Sequence, residues 1–178
     1  QYPGKAENYY GAIASLDEQM GRLRETLRYC KVERNTMLWY ASDNGPEGDR
    51  QSSQSPGNAG PFRGRKRSLF EGGIRVPALL EWPARFPAPK VISAAASTSD
   101  YLPTILAALG QPQPKELDGI NLLPILEGKQ RLRQSPLAFE TINDTRGSQR
   151  LAWIEDRWKL LTNLDQSPES LFDLIADP

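Results

Sequence analysis

Apolar residues recur at Tyr9, Ile13, Leu16, Met20, Leu23 and Leu27, at spacings of four and three. That period draws one stripe along a helix of about 3.6 residues per turn. Glu18, Arg22, Arg24, Glu25 and Arg28 fall on the opposite face, with Glu18 and Arg22 at the favourable i,i+4 spacing. The pattern predicts a long amphipathic helix that packs its stripe on a sheet. At Thr36 the pattern changes. Residues 36–41 (Thr-Met-Leu-Trp-Tyr-Ala) are apolar on both faces apart from the first, as in a strand covered on both sides within a mainly parallel sheet. This strand stops at Ser42-Asp43-Asn44-Gly45.

From Gly45 to Gly60 the composition turns to Gly, Pro, Ser, Gln, Asn and charge, which predicts a surface loop suited to substrate selection. Ala78–Trp82 reads as a second short strand, and Pro83, Pro87 and Pro89 mark a connection. Asp100 is expected to cap a helix with Leu102, Ile105, Leu106 and Leu109 on one face and Gly110 at its end. Pro103 is tolerated there because first-turn amides have no helical partner. A short helical piece is expected over Leu122–Leu126. In the tail, Leu151–Ile154 and Trp158–Leu161 read as strands joined by a tight turn at Glu155-Asp156-Arg157, with Leu171–Leu174 as a third. The fold class is therefore α/β, with residues 1–130 in an α/β domain and 131–178 in a small antiparallel β subdomain.

Composition narrows the function. The 178 residues are 38% hydrophobic and 25% charged, as in a globular protein. Lys+Arg and Asp+Glu both number 22, which gives no general attraction to nucleic acid or to an anionic membrane. No apolar run approaches the roughly 20 residues needed to span a bilayer, and no signal-like segment is expected at the start. One cysteine rules out an internal disulfide. Histidine is absent, which excludes Ser-His-Asp and Cys-His activation and His-ligated zinc within these residues alone.

Two places could carry chemistry. Asp43 and Asn44 offer a carboxylate and an amide oxygen just past the end of an apolar strand, where ligands sit in open α/β sheets and where a hard divalent cation finds suitable donors. Adjacent residues converge on one ion only where the backbone turns, and Gly45 permits a turn. An Asx-turn closing the strand needs the same residue types without any metal. The second place is the run Arg63, Arg65, Lys66, Arg67. Its neutral surroundings and lack of aromatic interleaving argue against nucleic acid. A compact ammonium among glycines suits an anionic ester oxygen, and a solvated surface run would have the same composition.

Taken together, these segments resemble one family. Ser42-Asp43-Asn44-Gly45, then Gly60-Pro61-Phe62-Arg63-Gly64-Arg65-Lys66, then Glu71-Gly72-Gly73-Ile74-Arg75-Val76-Pro77 resemble the carboxyl-terminal part of a type I sulfatase of the arylsulfatase group. Asp17 and Gly21, Trp82-Pro83, Asp100-Tyr101-Leu102-Pro103-Thr104, Asp118-Gly119, Trp158-Lys159-Leu160 and Asp177-Pro178 follow the same pattern in the same order. The resemblance implies the C-terminal part of an alkaline-phosphatase-like α/β sandwich plus a small antiparallel sheet. It implies sulfate-ester hydrolysis at a calcium (Ca2+) site, with Asp43 and Asn44 as metal ligands and Lys66, five residues before Glu71, binding sulfate. The substrate would be a sulfated small molecule or glycan, and the compartment periplasmic, secreted or lysosomal.

The chain also departs from the family. The C-x-P-x-R or S-x-P-x-R sequence that yields the formylglycine nucleophile, the paired aspartates and the catalytic histidines are expected upstream of the first helix. Cys30 and Arg34 share the C-x-x-x-R spacing, but Val32 stands where proline is usual, so a partly buried thiol in a helix-to-strand turn is expected instead. The chain is accordingly expected to be inactive alone, to need an N-terminal half as its partner, and to self-associate through exposed apolar surface. Phosphonate or phosphate-ester hydrolysis and a non-catalytic binding module are the alternatives.

Overall fold

Helix α1 runs over Lys5–Tyr29 and carries the stripe the sequence predicts. The computed structural model describes residues 5–48, 50, 55–141, 150–165 and 170–176. The chain divides into two compact units, Gln1–Pro89 and Lys90–Pro178. Among the described residues no helix is long and apolar enough to cross a membrane.

In the first unit α1 ends in a Schellman turn, with Lys31 N donating to Arg28 O and Val32 N to Leu27 O while Lys31 takes φ 59°. Cys30 lies in this turn with an exposed thiol, not the partly buried one expected. Strand β1 (Leu38–Ala41) follows a 3-10 turn over Glu33–Asn35. Its partner is β2 (Ala78–Glu81), and the ladder is antiparallel, from Leu38↔Glu81 to Ala41↔Ala78. The expectation of a fully buried strand in a mainly parallel sheet is thus corrected: β1 is half-buried and belongs to a two-stranded antiparallel sheet. Ser42 N donates to Pro77 O at 3.3 Å and closes the ladder one step further. Everything from Asp43 to Val76 is therefore the excursion of one long hairpin.

Only the C-terminal end of α1 reaches the sheet. Arg24 pairs with Glu81 at 2.8 Å, and Leu27 lines a water-sized recess with Thr36 and Leu38. Most of the rest of the stripe stays open, with Met20 half-buried: Tyr9 is 39% exposed, Ile13 48%, Leu16 46% and Leu23 41%. The expected packing of the whole stripe on a sheet is not found among the described residues, because a two-stranded sheet of four-residue strands is too short to cover 25 residues of helix.

The second unit opens with a 3-10 turn, Thr98–Asp100, and helix α3 (Tyr101–Ala108). Asp100 does not cap α3 as expected. Ser97 forms a capping box with Asp100 at the 3-10 turn, and the Asp100 carboxylate also accepts from Ile120 N at 2.8 Å and from Arg133 at 2.6 Å. Pro103 and Thr104 are buried while Leu102, Ile105 and Leu109 are exposed, because Thr104 Oγ1 must accept from Leu122 N at the start of α4 (Leu123–Leu126). Gly110 ends α3 as read, at φ 65° in a Schellman turn.

Strands β3 (Leu137–Glu140), β4 (Leu151–Glu155), β5 (Trp158–Thr162) and β6 (Ser170–Asp173) form an antiparallel sheet in chain order. The β4–β5 turn at Asp156-Arg157 and the third strand of the tail match the sequence reading closely. Strand β3 was not anticipated. Its buried Leu137 faces the register of Ile154 and Lys159, and these with Leu123, Ile125, Ala152 and Leu161 make the core.

Candidate functional site

Past Ala41 the chain bends through Ser42-Asp43-Asn44. Ser42 Oγ donates to Asn44 O at 2.9 Å, Asn44 N donates to Asp43 Oδ1 at 2.9 Å, and Asn44 Nδ2 donates to Gly45 O at 2.9 Å. An Asx-turn would send the Gly45 amide to the Asp43 carboxylate. Instead Gly45 N donates to Gly73 O at 2.8 Å, on the far side of the excursion. The second Asp43 oxygen and the Asn44 Oδ1 accept no hydrogen bond among the described residues.

This crossing is possible only with glycine. A methyl group on Gly45 would lie 1.9 Å from Gly72 O, one on Gly72 would lie 2.2 Å from Gly64 O, and one on Gly73 would lie 2.0 Å from Ser68 O. Gly72 N completes the knot by donating to Arg63 O at 2.7 Å. Helix α2 (Glu71–Ile74) is the single turn that carries Gly72 and Gly73 across. The sequence predicts Gly45 as a turn residue; the structure needs it for close approach of two backbones. Gly45, Leu69, Glu71, Gly72 and Gly73 are among the few buried residues of this unit, so its best-packed point is the knot itself.

Lys66 hangs from the same knot. Its backbone N–H donates to Pro46 O at 3.0 Å, and its ammonium sits 3.6 Å from Glu47 Oε2. Its basic neighbours are engaged one by one. Arg63 stacks 4.0 Å over Phe70, and Arg75 lies 4.8 Å over Phe62 and 3.5 Å from Glu71. Arg67, at φ 74°, pairs with the Glu47 carboxylate. Arg65 donates to the carbonyls of Glu47, Gly48 and Gly57 at 2.7 to 2.9 Å. Each cation of the run thus has a partner within the excursion, while the Lys66 and Arg67 side chains stay 36% and 45% exposed.

Glu47 and the Arg65 clamp escaped the sequence reading, since a glutamate in a polar loop carries no periodic signal. The Glu47 carboxyl is pushed down to about 2, first by the hydrogen bond from Arg67 and then by that from its neighbour Gly48. It is anionic throughout the neutral range.

The structure thus brings Asp43, Asn44 and Lys66 into one excursion whose two sides are sewn together at Gly45 and Gly73. Among the described residues no cluster of three His, Cys, Asp or Glu could hold a metal. The Asp43 carboxylate and the Asn44 amide oxygen suit calcium in donor type, and would be two of the roughly six to eight oxygens that ion takes.

A family model described as Sulfatase matches residues 3–111, which contain the whole knot. The chain belongs to the sulfatase family. It is 36% identical over 133 residues to N-acetylgalactosamine-6-sulfatase of Canis lupus familiaris, covering 74% of this chain and 25% of that protein. It is 31% identical over 149 residues to steryl-sulfatase of Homo sapiens, covering 80% of this chain and 26% of that protein. The solved structure of Ps i-CgsB superposes with a TM-score of 0.81 at 30% identity, over 97% of this chain and 37% of that one. This sulfatase chain therefore has the alkaline-phosphatase-like fold over most of its length. It spans about a quarter of the length of the curated sulfatases it matches.

Proposed function

We propose that the whole protein hydrolyses sulfate esters, and that this chain contributes one wall of the site: Asp43 and Asn44 as calcium ligands, Lys66 as the cation that binds the sulfate group. The observation that carries the reading is the Gly45–Gly73 crossing. It joins the two sides of the excursion that carries an oxygen pair with free acceptor capacity and a lysine, in a chain of the sulfatase family. Bound calcium would supply Lewis-acid stabilisation of charge on sulfate oxygens. The Lys66 ammonium would meet a second sulfate oxygen and hold it while charge builds there. The attacking group, a formylglycine hydrate in this reading, comes from polypeptide outside these 178 residues, and the chain alone does not turn over. The substrate class is a sulfated small molecule or glycan, and export from the cytoplasm fits that class.

The test is steady-state hydrolysis of a chromogenic aryl sulfate by the full-length protein. Lys66→Ala should cost about 100-fold or more in kcat/KM, the scale of losing one preorganised charge donor. Asp43→Ala should instead weaken calcium affinity, read by calcium titration, with the circular dichroism of both variants unchanged. Wild-type turnover by either variant would remove the role assigned to that residue. Faster cleavage of the matching aryl phosphate than of the sulfate would favour a phosphate-ester hydrolase.

A further inference from the structure

Lys66 is paired in the free protein, and the partner is itself held from several sides. Glu47 O accepts from Arg65 Nη2 at 2.7 Å and Arg65 Nε at 3.2 Å, which pins the Glu47 backbone. Its carboxylate accepts from Arg67 through both nitrogens and from Gly48 N at 3.1 Å. The ammonium of Lys66, 3.6 Å away, is the looser of its two cationic partners. Both groups stay open to solvent, Glu47 at 56% and Lys66 at 36% of the side chain.

We propose that Glu47 is a built-in competitor for Lys66: its carboxylate stands where a sulfate oxygen must bind, and an incoming ester displaces it from the ammonium. The proposal rests on the reading of Lys66 as the sulfate-binding cation. The chemistry is an exchange of one oxyanion for another on the same N–H donors. Arg67 makes the exchange feasible, because Glu47 keeps a guanidinium partner when Lys66 lets go. Inorganic sulfate and a sulfate ester meet the same threshold at Lys66, so Glu47 sets the affinity of the site for the sulfate group and is not a catalytic residue.

The test follows acetylation of Lys66 in the full-length protein by mass spectrometry as inorganic sulfate is raised. In Glu47→Gln the sulfate concentration that half-protects Lys66 should fall about two- to fivefold, the size an exposed ion pair supports. KM for the aryl sulfate should fall with it. Arg67→Met leaves Glu47 entirely to Lys66 and should move both quantities the opposite way. Equal protection in wild type and Glu47→Gln, or a higher KM in Glu47→Gln, overturns the competitor role while leaving Lys66 as the sulfate site. Absence of any sulfate protection of Lys66 in both proteins overturns the Lys66 reading and this proposal together.

Discussion

Gly45 and Gly73 meet backbone to backbone, amide to carbonyl at 2.8 Å, across a stretch of chain that leaves β1 and returns to β2. The bend that carries Asp43 and Asn44 lies on one side of this bond. On the other side lies the turn that follows Lys66. The relative position of the oxygen pair and the cation therefore depends, beside the side-chain bonds of Ser42, Arg65 and Glu47, on backbone contacts that contain no side chain. Such contacts neither relax by rotamer changes nor tolerate an added carbon.

Gly72→Ala is expected to be among the most damaging single-carbon changes in the first unit, together with Gly45→Ala and Gly73→Ala. Its methyl would sit 2.2 Å from Gly64 O and 2.7 Å from Arg63 O, both backbone atoms. Overpacking against backbone should cost about 3 kcal/mol or more, seen as a drop in the thermal midpoint. Gly60→Ala is the informative comparison. Nothing lies within 4 Å of its added carbon, and only its φ of 65° opposes it, so the loss should be about 1 kcal/mol.

The second unit turns on a charge pair. Asp100 is fully buried, and Arg133, with a buried side chain, leaves Nε and Nη2 without a partner among the described residues. Asp100→Ala strands that guanidinium together with the amides of Ser97 and Ile120, and should cost about 3–5 kcal/mol in urea unfolding. The double replacement Asp100→Ala with Arg133→Met removes the uncompensated charge and should recover part of the loss. Additive losses would show that the two side chains do not depend on each other.

The Glu47 tether has a defined pH window. Its folded value, about 2, is depressed from the ordinary 4.5. A depressed carboxylate contributes stability that is complete above the unfolded value and is lost as pH falls through the folded one. The carboxyl-carbon NMR shift of Glu47 should accordingly titrate near pH 2, and the Arg67 guanidinium resonances should move with it. Asp173 is lowered in the same sense by its hydrogen bond from Arg157, so it too contributes stability at the β5–β6 junction that is lost as pH falls through its depressed value.

The open stripe on α1 predicts association of the chain by itself. Tyr9, Ile13, Leu16 and Leu23 form a continuous apolar face of a kind that soluble monomers seldom leave exposed. Light scattering of the isolated chain should show a mass that rises with concentration. Replacing Ile13 and Leu16 by glutamate should lower that mass while the helix content is kept. A concentration-independent monomer in the unaltered chain would contradict the expectation.

Local signals in the sequence were sufficient wherever neighbours along the chain decide the outcome. The 3.6-residue period of α1, the β4–β5 hairpin around Asp156-Arg157 and the Gly110 helix end all came from such signals. So did the segments that resemble sulfatases, because a motif is a local string. Partners far apart along the chain were not legible. Antiparallel pairing of β1 with β2, the inward turn of Thr104 instead of Leu102, and the burial of Lys159 on β5 each depend on residues 18 or more positions away or on a neighbouring strand.

For the candidate site the division is the same. The sequence alone determined which residue types were present: one carboxylate, one amide oxygen, one lysine and a supply of glycines. The tertiary structure decided that Gly45 serves close approach, that Arg65 gathers carbonyls, and that Glu47 stands against Lys66. Those facts arise from backbone crossing and charge pairing through space, which the order of residues along the chain does not encode until it has folded.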